Sequence, residues 1–118
     1  RRLDVSVKMT TRQVGDVTVV DAVGRITLGD GASTFRDTIR DLAAGGKKKL
    51  LLNLAEVSYI DSSGIGEMVS GFTTVTNQGG QVKLLNLTKR VKDLLQITKL
   101  YTVFEVFEDE AAAVRSYS

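Results

Sequence analysis

Histidine, cysteine, proline and tryptophan are all absent from these 118 residues, and aromatics make up only 6%. Each absence removes chemistry. Without histidine there is no Ser-His-Asp triad and no imidazole base. Without histidine or cysteine the ordinary zinc, haem and iron–sulfur sites are excluded, as are disulfides and thiol nucleophiles. No apolar run approaches the roughly 20 residues of a membrane-spanning helix, and no secretory signal pattern opens the chain. These features lead us to expect a soluble cytoplasmic domain without cofactor, metal or membrane partner.

Charge is nearly balanced: 16 Lys+Arg against 14 Asp+Glu, a formal +2. Nucleic-acid binding calls for a concentrated basic face with stacking aromatics. Here Arg1-Arg2, Lys47-Lys48-Lys49 and Lys89-Arg90 are scattered, so no direct nucleic-acid role is expected. The lysine triplet follows Gly45-Gly46 and reads as a solvated turn.

What the chain does have is 42% hydrophobic residues, enough to fill the core of one domain spanning 1–118. Residues 4–9 alternate as a half-buried strand does, and Gly15-Asp16 forms a hairpin turn. The β-branched run 17–23 is a more central strand ended by Gly24. Phe35, Ile39, Leu42 and Ala43 mark an amphipathic helix over 30–44, stopped by Gly45-Gly46. Leu50-Leu51-Leu52 lies in a buried strand over 48–54, followed by a connection at 55–60. A second helix over 62–77 carries Ile65, Met68, Val69, Phe72 and Val75 at core spacing. Val82 to Leu85 is a strand. Thr88 caps a third helix bearing Val91, Leu94 and Leu95. A short strand at 103–107 and a helix at 109–116 close the chain. Strands alternating with helices predict an α/β domain with a mixed, mostly parallel sheet of four or five strands and about four helices. Crossovers place helices on the sheet faces, and ligands or partners meet the C-terminal ends of the strands.

Asp61-Ser62-Ser63-Gly64-Ile65-Gly66 stands on that edge, where a strand gives way to a helix. A helix N-terminus offers free N–H groups and partial positive charge, and Asp and Ser are favoured caps. Gly64 and Gly66 each cost up to ~1 kcal/mol of helix propensity relative to Ala, which suggests close approach of something to the backbone. Taken as four letters, Asp-Ser-Ser-Gly also fits an ordinary cap and turn. Catalysis fits poorly: a serine nucleophile needs an activating base, and neither a Ser-x-x-Lys nor a Gly-x-Ser-x-Gly pattern is present. The spacings Gly64-Ile65-Gly66 and Gly29-Asp30-Gly31 are too short for a dinucleotide fingerprint or P-loop. Glu67 and Ser70 fall on the outer side of the second helix as candidates for partner contact.

The wider run Leu50 to Gly66, LLLNLAEVSYIDSSGIG, resembles the signature of STAS domains of the anti-sigma factor antagonist type. The order of elements agrees over essentially the whole chain. The resemblance implies a phosphorylation switch. Ser62 (Ser63 being the second candidate) would accept phosphate from a partner that is both anti-sigma factor and serine kinase. The unmodified form would bind that partner and free the sigma factor, and a serine phosphatase would reset the phosphorylated form. The implied contact surface comprises Asp61, Ser62, Ser63, Gly64, Ile65, Gly66 and Glu67, with Arg25, Thr27 and Asp30 from the loop after the second strand. Many members carry an acidic residue where this chain has Thr27. A monomer or weak dimer is expected. The alternatives are a STAS scaffold subunit of a larger bacterial signalling assembly and a nucleotide-sensing regulatory domain.

Overall fold

A computed structural model describes residues 7–117. It shows a single α/β domain in which β1 (Val7–Val14), β2 (Val17–Ile26), β3 (Lys49–Ile60), β4 (Gln81–Leu85) and β5 (Val106–Phe107) form one sheet. The helices are α1 (Asp30–Ala44), α2 (Ser62–Asn77), α3 (Lys89–Ile97) and α4 (Glu110–Arg115), with a 3-10 turn at Leu100–Thr102. Strand order is β1-β2-β3-β4-β5. The β1–β2 hairpin is antiparallel and the other pairings are parallel, so the sheet is mixed as expected.

That monotonic order decides where the helices go. Successive parallel steps in one direction, with crossovers of one hand, return each helix to the same face. The main core accordingly joins Val20, Leu50, Leu52, Leu54 and Leu84 to Phe35 and Ile39 of α1, Ile65 and Met68 of α2, and Val91 and Leu95 of α3. The opposite face has a smaller cluster in which Val17, Val19, Leu51 and Leu85 meet Ala113 and Tyr117. Buried Lys83 ties that second layer down: its ammonium donates to the Ser116 carbonyl and hydroxyl and lies 4.6 Å from the centre of the Tyr117 ring. Among the described residues no helix is long and apolar enough to cross a membrane.

Several boundaries differ from the sequence expectation. The first strand runs over 7–14; of the expected 4–9, residues 4–6 lie outside the described region. Gly24 does not end β2. It sits within the strand at φ 120, beside a register shift, and pairing continues to Ile26. The expected connection at 55–60 is strand. Asp21 pairs with Asn53 but Val23 with Glu56, and Gly24 pairs with Val57 but Arg25 with Tyr59. β3 therefore carries an extra residue at each of two bulges. The bulges bring Leu54, Val57 and Ile60 to one buried face at a spacing of three, which a period-two reading rejects as strand. The last strand shrinks to 106–107, because Val103 and Phe104 donate their N–H groups back to the Leu100 carbonyl and extend the turn begun at Leu100–Thr102. The last helix is Glu110–Arg115, with Asp109 as its cap.

Candidate functional site

The two bulges set the geometry of the site. β4 stops at Leu85, opposite Asn53, while β2 and β3 continue as a pair and finish together with Ile26 opposite Ile60. Asp61 follows directly, and its N–H reaches the Ile26 carbonyl at 3.4 Å. The chain then turns into α2, whose first turn lies on the Ile26/Ile60 pair.

Asp61 is the N-cap. One carboxylate oxygen accepts the Gly64 N–H at 3.0 Å, and the other accepts the Leu28 N–H, also at 3.0 Å. A single side chain thus satisfies an orphan donor of α2 and pins the turn that leads into α1. Burial pushes this carboxyl up, but the N–H donors of Gly64, Leu28 and Ser63 outweigh it and hold Asp61 below its ordinary value. Because the native state binds the proton less readily than the unfolded chain, this contribution is complete above the unfolded value near pH ~4. It is lost as pH falls through the lower native value. Asp21 and Glu110, both held down chiefly by Arg12, titrate in the same sense. Acid titration followed by circular dichroism should therefore show stability falling below pH ~4, with little change between pH 5 and 8. Asp61→Ala, which strands both donors, should cost about 1–2 kcal/mol in urea unfolding.

The two glycines of the motif play different parts. Gly64 is buried, and a Cβ placed there would stand 2.3 Å from the Ile26 carbonyl oxygen and 2.6 Å from Ile60 Cγ1. The close approach that the sequence suggested is made by the protein's own backbone. Around Gly66 nothing lies within 4 Å of such an atom. Gly66→Ala should therefore raise stability by about 0.5–1 kcal/mol through helix propensity alone, read as a higher urea midpoint with unchanged slope.

The expected contact residues divide. Ser62, the first residue of α2, is exposed, as are Gly66, Arg25 and Asp30. Ser63 and Thr27 are half-buried. The Thr27 carbonyl accepts from Ala32 N–H at 2.8 Å. Gly64 and Ile65 are buried, with Ile65 in the main core, so they offer a partner no surface. Glu67 does not face outward. It is half-buried against α1, 3.8 Å from the Arg36 guanidinium, whereas Ser70 is exposed. Leu28, which donates its N–H to Asp61, and the stacked pair Tyr59 and Arg90 were not among the expected contacts. Leu28 is 79% exposed, and Tyr59 is 36% exposed with the Arg90 guanidinium 4.4 Å from its ring centre. Thr88 places that arginine, since its hydroxyl donates to the Val57 carbonyl at 3.2 Å and accepts from Val91 N–H. An apolar residue inside a turn was the one available sign of Leu28; nothing local marks Arg90.

Comparison with known proteins assigns this arrangement. The STAS domain profile matches residues 8–113. The chain belongs to the STAS domain family. Among curated STAS-type relatives, the anti-sigma-B factor antagonist of Bacillus subtilis (strain 168) is 39% identical over 75 residues, covering 64% of this chain and 68% of that protein. The anti-sigma-B factor antagonist of Listeria monocytogenes is 35% identical over 57 residues, 48% of this chain and 50% of its own length. An anti-sigma factor antagonist from Mycobacterium paratuberculosis has the same fold, with a TM-score of 0.84 at 17% identity over 95% of this chain and 94% of that one. So does the Bacillus cell fate determinant SpoIIAA in its phosphorylated form, with a TM-score of 0.74 at 18% identity, covering 94% of this STAS domain and 100% of that chain.

Proposed function

We propose that this STAS domain is an anti-sigma factor antagonist switched by phosphorylation of Ser62. The exposure of the Ser62 hydroxyl carries the reading. It opens α2 on the surface, while Asp61 is engaged in the cap and Gly64 and Ile65 are packed beneath it. The chain has no histidine or cysteine to activate that hydroxyl, so the group-transfer machinery is brought by another protein. Ser62 is then a substrate and a contact residue and has no catalytic part. Relatives named anti-sigma-B factor antagonist support the partner class, and SpoIIAA is known in both unphosphorylated and phosphorylated forms. The unphosphorylated chain binds an anti-sigma factor that is also a serine kinase, which liberates the sigma factor. A serine phosphatase restores the binding form.

Binding and modification are separable at this residue. Incubated with the cognate kinase and ATP, the wild-type protein should take up one phosphate at Ser62, located by mass spectrometry. Ser62→Ala should take up none yet still bind the kinase. Stoichiometric phosphate on the Ser62→Ala protein would place the acceptor elsewhere.

A further inference from the structure

Resting on that reading, we propose that Asn53 is a positioning residue for Ser62. Its side chain locks the first bulge of β3 and so sets the two-stranded arm that carries the acceptor serine.

Asn53 stands where β4 leaves the sheet. It is opposite Asp21 on one side and Leu85 on the other, and just beyond it the register with β2 slips. At a bulge the backbone loses ladder partners. Here the Ala55 N–H donates to Asn53 Oδ1 at 3.2 Å, a bond to the side chain two residues earlier. The Asn53 amide donates to Asp21 Oδ1 at 2.8 Å. The Asn86 amide, on the left-handed residue just after β4, reaches Asn53 Oδ1 at 3.4 Å. One side chain therefore grips β2, the bulge of β3 and the end of β4.

That grip requires an amide. An ionised carboxylate only accepts hydrogen bonds, so Asp21 demands a donor, while the Ala55 N–H demands an acceptor. Asparagine supplies both from one planar group. Its orientation is fixed from behind. Arg12 donates to both oxygens of Asp21, at 2.7 and 3.2 Å, and to both oxygens of Glu110 at the start of α4, at 3.0 and 2.6 Å. Asn53 is thus the last member of a chain of bonds that runs from α4 across β1 and β2 to β3.

Beyond the bulge the β2–β3 pairing continues to Ile26 and Ile60, and Asp61 and Ser62 follow at once. Strand side chains alternate, so a one-residue change of register turns each later residue to the opposite face. The bulge helps decide that Ile60 faces the core under Gly64, and with it where α2 starts. Phosphoryl transfer is sensitive to the placement of the attacking hydroxyl, so a loosened arm acts on kcat more than on binding.

Asn53→Asp tests the assignment. It keeps an acceptor for Ala55 but sets a second carboxylate against Asp21. Combining it with Asp21→Asn exchanges the two groups and again faces a donor to an acceptor. Amide NMR spectra of the free proteins read the placement of the site. Asn53→Asp should shift the Ser62, Ser63 and Gly64 resonances, and the exchange variant should return them towards wild type. Kinetics with the kinase that the immobilised wild-type chain captures from its source cells read the consequence. Asn53→Asp should lower kcat at Ser62 about tenfold with KM within about twofold, and the exchange variant should recover to within about threefold of wild type. Val14→Ala, which loosens the cluster on the α4 face without touching the chain of bonds, controls for stability. The proposal is overturned if Asn53→Asp leaves kcat and these resonances unchanged, or if the exchange variant is no better than Asn53→Asp. It is equally overturned if Val14→Ala, with its melting midpoint lowered as far, loses as much kcat. If the captured kinase does not phosphorylate wild type at Ser62 while the resonances respond as expected, the functional reading falls alone and Asn53 still sets the start of α2.

Discussion

Gly64→Ala is expected to lower the melting temperature by about 10 °C or more, the largest effect on stability of any single methyl group near the site. The added carbon would sit 2.3 Å from a backbone oxygen of β2 and 2.6 Å from a side chain of β3. A flexible side chain could swing away from such a contact, but a carbonyl in a paired strand cannot. Relief requires lifting the first turn of α2 off the sheet. That would stretch the Asp61–Gly64 bond and open the contact of Ile65 and Met68 with the core. Overpacking of this kind costs about 3 kcal/mol, a large fraction of the ~5–15 kcal/mol by which domains are stable. Gly66→Ala, two residues along, should move the midpoint the other way, so the pair separates sterics from propensity within one turn. A Gly64→Ala protein as stable as wild type would show that α2 does not seat on Ile26 as described.

Ser62→Asp should weaken binding to the cognate anti-sigma factor about 100-fold, equivalent to ~2.7 kcal/mol, with no change in the melting temperature beyond a degree or two. In the free protein a charge at this position faces water and the amino end of α2, where anions are tolerated. Under a docked partner the same charge is desolvated beside Asp61, with no cation supplied by this chain in the first turn of α2. Truncating or mispairing a buried charge costs on the order of 2–5 kcal/mol, and genuine phosphate, at about −1.5 to −2, should exceed aspartate. Since only a difference in affinity between the two forms is needed, the fold need not rearrange. Equal affinity of wild type and Ser62→Asp, measured by calorimetry, would remove Ser62 as the switch.

Much of the architecture was legible in the sequence because it rests on local periodicity and local caps. The helices at 30–44 and 62–77 have their predicted bounds, since apolar spacing and flanking glycines specify both. Thr88 caps α3, and Asp61 caps α2, as their residue types favour. The run from Leu50 to Gly66 was enough to suggest the family. The extension of β3 was illegible. Bulges exist only in relation to a partner strand, and on its own the 54, 57, 60 spacing argues against extended structure. Glu67 was misplaced because helical periodicity separates core from surface but cannot tell open surface from a seam with α1.

The missing histidine and cysteine already removed imidazole and thiol chemistry from this chain. Composition and local sequence suffice for that, because no fold can supply an absent side chain. Only the tertiary structure decided how the two glycines divide. One is pressed against the end of β2 and the other is open, a difference set by where α2 lands on the sheet. It also decided that Leu28 reaches across to the Asp61 cap and that Arg90 lies on the Tyr59 ring, contacts between residues far apart in sequence. The bulged β2–β3 pair outruns β4, and the space left beside it is filled by the start of α3.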